Sequence, residues 1–341
     1  MGNLSGLDSL RFFAAAWVAM FHGARLPLEK ILPQDRLVYG LANTLNNSLF
    51  NGVAAVMLFF VISGFVIHRP VVEQQRFDLF SYLVRRLTRI TPPILIAYAM
   101  CAIIGVEAVD ALSSVMWSLY CEIAYYIAYP ILLLAFRRGW TTQIYIATSI
   151  LAFAILAWSG PVSYYWELPL PALILVGLPN WILGCMLAER CIADVSSAPP
   201  KESIWLWRFG AVIVSVALKA AVTHGPMHIG YPASHWILAL YAFFWLDREL
   251  TLRQAVRRPS ALEIAGRASF SLYLVHNPVL VIFGVLGARA ESFGPGGWLT
   301  VWLLQLAAIS LGTLAFYALV ESPCHRLARR LGARHRSVCA V

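Results

Sequence analysis

Charge is what this sequence has least of. Only 13% of its 341 residues are Asp, Glu, Lys or Arg, about half the usual share of a soluble domain. So few charges could not coat a globule of this length, which excludes a soluble enzyme. An apolar content of 60% excludes a disordered chain. Lysine is nearly missing: Lys30, Lys201 and Lys219 leave 23 of the 26 basic residues as Arg. The net charge is +9, but the Arg residues are dispersed between apolar runs rather than gathered in one tract. That argues against nucleic acid and for contact with anionic membrane lipid. Cysteine is sparse, with six residues and no CxxC, so neither a disulfide framework nor a metal site is expected. No repeat of roughly 20–50 residues is visible. The first apolar run contains Arg11 and His22 and has no small-x-small cleavage site, so it is expected to stay as a membrane helix rather than leave as a signal peptide.

What is abundant is long hydrophobic sequence, with a mean hydropathy of +0.70. A helix crosses the hydrocarbon core with about 20 mostly apolar residues. On that rule the chain reads as all-α, a polytopic transmembrane helix bundle of about ten spans. They are placed at 8–27, 49–68, 88–106, 114–135, 141–158, 171–190, 204–222, 232–247, 268–287 and 298–320. The basic residues test the count. Connections after even-numbered spans hold Arg69, Arg76, Arg85 and Arg86, then Arg137 and Arg138, Arg190 and Lys201, and Arg248, Arg253, Arg257, Arg258 and Arg267. Those after odd-numbered spans hold only Arg25, Lys30, Arg36 and Arg289, and 107–113 and 159–170 have none. The alternation predicts that both termini are cytoplasmic. Residues 1–322 are read as one integral membrane domain and 323–341 as a basic cytoplasmic tail on the inner leaflet. The longest connections, 28–48 and 191–203, are too short for a second soluble domain.

Ionisable residues inside spans are expensive and therefore candidates for function. Arg11 and His22 are eleven residues apart, about 20° past three full turns, so on a straight helix they share one face at about 16 Å separation. The alternative is that Arg11 snorkels to the headgroups and His22 ends the helix. Arg86 and Arg89 are i, i+3 neighbours whose guanidinium forks suit phosphate; membrane anchoring is the bland alternative. Glu122 lies within a span with Tyr125 and Tyr126 at i+3 and i+4. It either orients a catalytic group or ties two helices together. His276 precedes Asn277 and Pro278. It is read as filling a carbonyl freed by the proline, or as catalytic. Glu321, just before Pro323, is expected to pair with an Arg at the cytoplasmic face. His224, His228 and His235 are taken as solvated loop residues.

Taken in order, GLDSLRFFAAAWVAMFH, GVAAVMLFFVISGF, YLVRRLTRI, WSLYCEIAYYIAYP, ASFSLYLVHNPV and VESPCHRL resemble the acyltransferase-3 family of integral membrane acyltransferases across nearly the whole chain. The resemblance implies transfer of an acyl group from acyl-CoA to a hydroxyl of a sugar or similar acceptor. The family's first-helix Arg and His match Arg11 and His22. Its RxxR matches Arg86 and Arg89, and its WSLxxE matches Trp117, Ser118 and Glu122. Its His-x-Pro and Glu-x-Pro match His276 with Pro278 and Glu321 with Pro323. Ser9, where many members have Gly, departs from the pattern, and no SGNH hydrolase-like domain is expected at the C-terminus.

The reading that follows is a membrane O-acyltransferase of a bacterial inner membrane. It would move an acyl group, acetyl foremost, from acyl-CoA to a carbohydrate or related cell-envelope acceptor. No cofactor is held permanently; acyl-CoA (acetyl-CoA foremost) is a donor substrate. Arg86 and Arg89, with Arg11, would hold the CoA phosphates. His22 would act as general base or accept the acyl group itself, and Glu122 would orient it. Trp117, Ser118, His276 and Glu321 are assigned supporting roles. The partners are acyl-CoA, a sugar or glycan, and membrane lipid. The alternative is a multi-span transporter or flippase of a glycan or lipid-linked substrate, against which stand the lack of an inverted repeat and of Asp within a span.

Overall fold

The computed structural model describes residues 7–32, 37–193, 203–224, 230–253, 261–290 and 294–338. Lys201 and His228 lie outside them. The described residues contain helices and no strand. In chain order the helices are α1 (Leu7–Ala19), α2 (Leu28–Ile31), α3 (Leu37–Leu49), α4 (Gly52–Gln74), α5 (Leu79–Ile104) and α6 (Val106–Ser113). Then come α7 (Trp117–Phe136), α8 (Thr141–Ser159), α9 (Leu170–Ala193), α10 (Ile204–His224) and α11 (Tyr231–Arg253). The last are α12 (Ala261–Gly266), α13 (Ser269–Ala290), α14 (Gly294–Phe316) and α15 (Ser322–Val338).

Every one of the ten expected spans falls on a helix. Seven helical stretches among the described residues are long and apolar enough to cross a membrane: Leu37–Gln74, Leu79–Ile104, Trp117–Phe136, Thr141–Ser159, Leu170–Ile192, Ile204–Thr223 and Gly294–Gly332. Of the other three expected spans, the first breaks at Gly23. The eighth, α11, carries Asp247, Arg248 and Glu249 near its end. The ninth, α13, is a 22-residue helix whose stretch Ser269–Gly284 is apolar. Two connections turn out to be helical. The 28–48 segment holds α2 and α3, and α3 is amphipathic, with Leu37, Val38, Leu41 and Leu45 exposed on one side. The 107–113 segment is α6.

The chain divides into two compact units. One comprises Met1–Leu10, Val53–Leu79 and Trp117–Glu263; the other comprises Arg11–Gly52, Phe80–Met116 and Ile264–Val341. In the first unit the core is a seam of α4, α9 and α11, where Val61, Ile62 and Phe65 meet Leu183, Leu187, Ala239, Ala242, Phe243 and Leu246. Two glycines allow α4 and α9 to touch. A Cβ on Gly64 would overlap the Trp181 carbonyl, and one on Gly184 would overlap that of Val61. Membrane helices gain little from apolar burial against lipid, so such close backbone packing is their main source of association. Peripheral α8 and α10 instead expose Ile150, Phe153, Phe209 and Ile213, the apolar outer surface a bilayer requires.

In the second unit α13 packs against α14 and α6. Tyr273 donates to the Val115 carbonyl (2.6 Å), and Asn277 donates to the Ala111 carbonyl (2.5 Å) and Ser114 Oγ (3.2 Å). Asn277 thus gives a donor to a carbonyl in the last turn of α6, and Tyr273 holds the chain just beyond it. The tail helix α15 lies on the start of α5, where Ser81 Oγ donates to the Gly332 carbonyl (3.1 Å) and the Arg85 side chain fills the space a Cβ on Gly332 would need.

Candidate active site

The second unit contains six of the residues singled out above: Arg11, His22, Arg86, Arg89, His276 and Glu321 all lie within its segments. Arg11 sits on α1. That helix stays regular to Ala19 and then widens into a π-type turn, Met20–Ala24, broken at Gly23 with φ 131°. His22 is on this turn. The straight-helix alignment of Arg11 and His22 therefore holds only to Ala19, because i→i+5 bonding turns the chain more slowly than 3.6 residues per turn. A break of this kind leaves carbonyls without helical donors, and α14 supplies them. Trp302 Nε1 donates to the Ala24 carbonyl (2.9 Å) and Gln305 Nε2 to that of Gly23 (3.4 Å).

The His22 ring meets the ring of His276 at a centroid distance of 5.3 Å, tilted by 25°. His22 Nδ1 and His276 Nε2 are 3.4 Å apart, and His276 Nδ1 is 3.1 Å from the Leu272 carbonyl oxygen. His276 is fully buried. Its imidazole bonds the Leu272 carbonyl, not that of Leu274, which is the one Pro278 leaves without its i+4 donor.

Five residues before His276, Glu321 meets the first turn of the same helix. The Glu321 Oε2 atom accepts from the Ser271 backbone N–H (3.0 Å) and from Ser271 Oγ (2.5 Å). Ser271 is the third residue of α13, so its N–H has no intrahelical partner, and a carboxylate there also meets the positive end of the helix. Glu321 Oε1 is 3.5 Å from His325 Nε2, a contact at ion-pair range in which neither atom is hydrogen-bonded among the described residues. The charges of Arg89 and Arg11 act on both Glu321 and His325, and that of Arg329 acts on His325. The hydrogen bonds of Glu321 go to Ser271, and Arg89 and Arg11 act on it by charge. Helix α13 links the two groups of residues: a guanidinium–carboxylate cluster at its start and an imidazole pair about 7.5 Å further along its axis.

Trp117, Ser118 and Glu122 belong to the first unit, on α7. Glu122 Oε1 accepts from Ser63 Oγ (2.9 Å) on α4 and from Tyr126. Trp181 Nε1 on α9 donates to the same Ser63 oxygen (3.3 Å). Glu122 therefore ties three helices of its own unit together, and the hydrogen-bond partner of the His22 ring is His276. Trp117 stacks face to face on Tyr165 (centroids 5.2 Å, 8°) and meets Phe60 edge-on (6.5 Å). Burial pushes the Tyr165 hydroxyl far above the ordinary tyrosine range.

Sequence reading missed three features. One is His325, which stands one regular helical turn after Glu321 at the start of α15. His68 in the first unit bonds Tyr129 (2.9 Å) and Glu189 (3.0 Å), and Thr141 also donates to Glu189 (2.7 Å). The signal for it was a histidine ending the apolar run of span 2. His235, expected as a solvated loop residue, is instead fully buried in α11 with Nδ1 on the Tyr231 carbonyl (2.7 Å). The helix begins at Tyr231, so His235 lies on its inner face. No cluster of three or more metal-ligating side chains occurs among the described residues.

A helical membrane protein in which one helix, α13, meets a carboxylate at its start and contributes a buried histidine to an imidazole pair further along is the class these observations define. Comparison with known proteins makes it specific. The acyltransferase-3 family model, an acyltransferase domain, matches residues 4–321. The chain belongs to that family and is an acyltransferase. It is similar to acyltransferase MdmB of Streptomyces mycarofaciens, with 24% identity over 375 aligned positions covering 96% of this chain and 93% of that protein. No solved structure matches.

Proposed function

We propose that the protein is an O-acyltransferase with ten spans and both termini on the cytoplasmic side of a bacterial inner membrane, moving an acyl group from acyl-CoA to a hydroxyl of a carbohydrate or related envelope acceptor, with acetyl the first choice. The observation that carries the reading is the pairing of His22 with buried His276 in the same compact unit as Arg11, Arg86 and Arg89, in a chain of an acyltransferase family. CoA is rich in phosphate, and guanidinium groups bind phosphate through charge-assisted, often bidentate bonds. His22 takes the proton of the acceptor hydroxyl, whose oxygen attacks the thioester carbonyl. The C–S bond breaks, the acyl group leaves as an ester of the acceptor, and the proton goes to the CoA sulfur.

The experiment measures CoA thiol release by the purified protein with acetyl-CoA and an envelope glycan fraction, together with mass spectrometry of glycans from cells with and without the chain. A lost acyl mass in its absence supports the glycan acceptor, and unchanged glycans refute it. His22→Ala should lower turnover by at least about 100-fold, the usual contribution of a general base. Near-wild-type turnover refutes that role. Arg86→Ala should raise the KM for acetyl-CoA, and an unchanged KM refutes the phosphate site.

A further inference from the structure

We infer that His276 is a positioning residue that fixes the tautomer of His22, so that the Nε2 lone pair of His22 is the proton acceptor in the reaction. The inference rests on the reading of His22 as the base and extends it to a residue given no specific role above. The argument is one of proton counting. His276 Nδ1 is 3.1 Å from the Leu272 carbonyl oxygen, which can only accept, so Nδ1 carries hydrogen. A neutral imidazole has one ring hydrogen, so His276 Nε2 presents a lone pair. It faces His22 Nδ1 at 3.4 Å. Two lone pairs at that distance repel, so His22 holds its hydrogen on Nδ1 and donates it. His22 Nε2 is then bare.

A doubly protonated His276 does not fit. It is fully buried, and its ring contacts among the described residues are a backbone carbonyl, an imidazole and the Tyr273 ring, none of them a carboxylate. The pairing matters because a free imidazole prefers hydrogen on Nε2. A His22 in that form would offer the acceptor hydroxyl a donor where a base is needed. Both rings are held from outside the pair. Tyr273 and Asn277 flank His276 and bond the Val115 and Ala111 carbonyls, and Trp302 and Gln305 hold the turn that carries His22. When His22 takes the substrate proton it becomes a cation, and its Nδ1–H bond to His276 becomes charge-assisted and stronger. The geometry thus favours the protonated base without a carboxylate.

The test compares His276→Leu, which has no acceptor, with His276→Gln, whose amide oxygen can stand near the position of Nε2. His276→Leu should lower kcat by about 100-fold, the scale of general-base loss, with the KM for acetyl-CoA within about twofold, and His276→Gln should restore kcat to within about tenfold of wild type. A Leu variant with wild-type kcat, or a Gln variant no better than Leu, overturns the inference. Nitrogen-15 NMR of ring-labelled histidine in the wild-type protein, with His22 assigned by its loss in His22→Ala, reads the tautomer independently of activity. His22 with hydrogen on Nδ1 supports the pairing, and hydrogen on Nε2 overturns it. If the NMR shows Nδ1–H while His22→Ala keeps full turnover, the base reading fails and takes the catalytic role of His276 with it, and the pair itself stands.

Discussion

Removing the Glu321 carboxylate should unlatch the start of α13. The substitution is Glu321→Ala, which deletes two bonds to Ser271, at 3.0 Å to the backbone N–H and 2.5 Å to the hydroxyl. Bonds to a charged group contribute about 1.5–3 kcal/mol each in soluble proteins, whereas bonds between membrane helices average about 0.6 and reach about 1.7 kcal/mol. Glu321 is fully buried, so the upper part of the membrane range applies and the loss is about 2–3 kcal/mol for the two. Glu321→Gln keeps an acceptor oxygen but not the charge, and neutral bonds are roughly half as strong, so it should lose about half as much. The assay is reversible unfolding in mixed micelles followed by tryptophan fluorescence, for which the chain has 12 Trp. Ser271→Ala alone removes only the hydroxyl bond. The double-mutant cycle should therefore show a coupling of about 1 kcal/mol. An Ala variant within about 0.5 kcal/mol of wild type, a Gln variant as unstable as Ala, or a coupling near zero would refute the latch.

Other perturbations separate packing from backbone conformation. Gly64→Ala and Gly184→Ala should each destabilise by at least about 1–3 kcal/mol, because the added methyl meets backbone atoms of the neighbouring helix that cannot rotate away; folded yield after detergent extraction measures it, and full yield for both would contradict the close crossing. Gly23→Ala should cost about 1–3 kcal/mol through its φ of 131° alone, since the nearest other atoms are the Leu280 methyls at 4.0 Å. It should also lower kcat by displacing His22. Gly284→Ala, in open space on a regular helix, should be neutral or slightly stabilising, and equal losses in the two variants would contradict the backbone argument.

Periodicity and loop charge were enough to place the helices, because a hydrocarbon solvent forces long apolar runs into helices whatever surrounds them. All ten expected spans fall on helices for that reason. Connections were less legible. Residues 106–113 and 37–49 are too short or too polar to read as spans, and α6 is held by Tyr273 and Asn277 from far along the chain. Ideal helix geometry also failed after Ala19, where the π-type turn Met20–Ala24 moves His22 off the line drawn from Arg11.

The amino-acid order alone determined the membrane class, the helical fold, and which rare ionisable groups stand among apolar neighbours, since each follows from local transfer energetics. Which of those groups meet was decided only in three dimensions. His22 and His276 are 254 positions apart, and Ser271 and Glu321 are 50 apart. A hydrogen bond depends on ångström distances between side chains of different helices, and no local propensity encodes those.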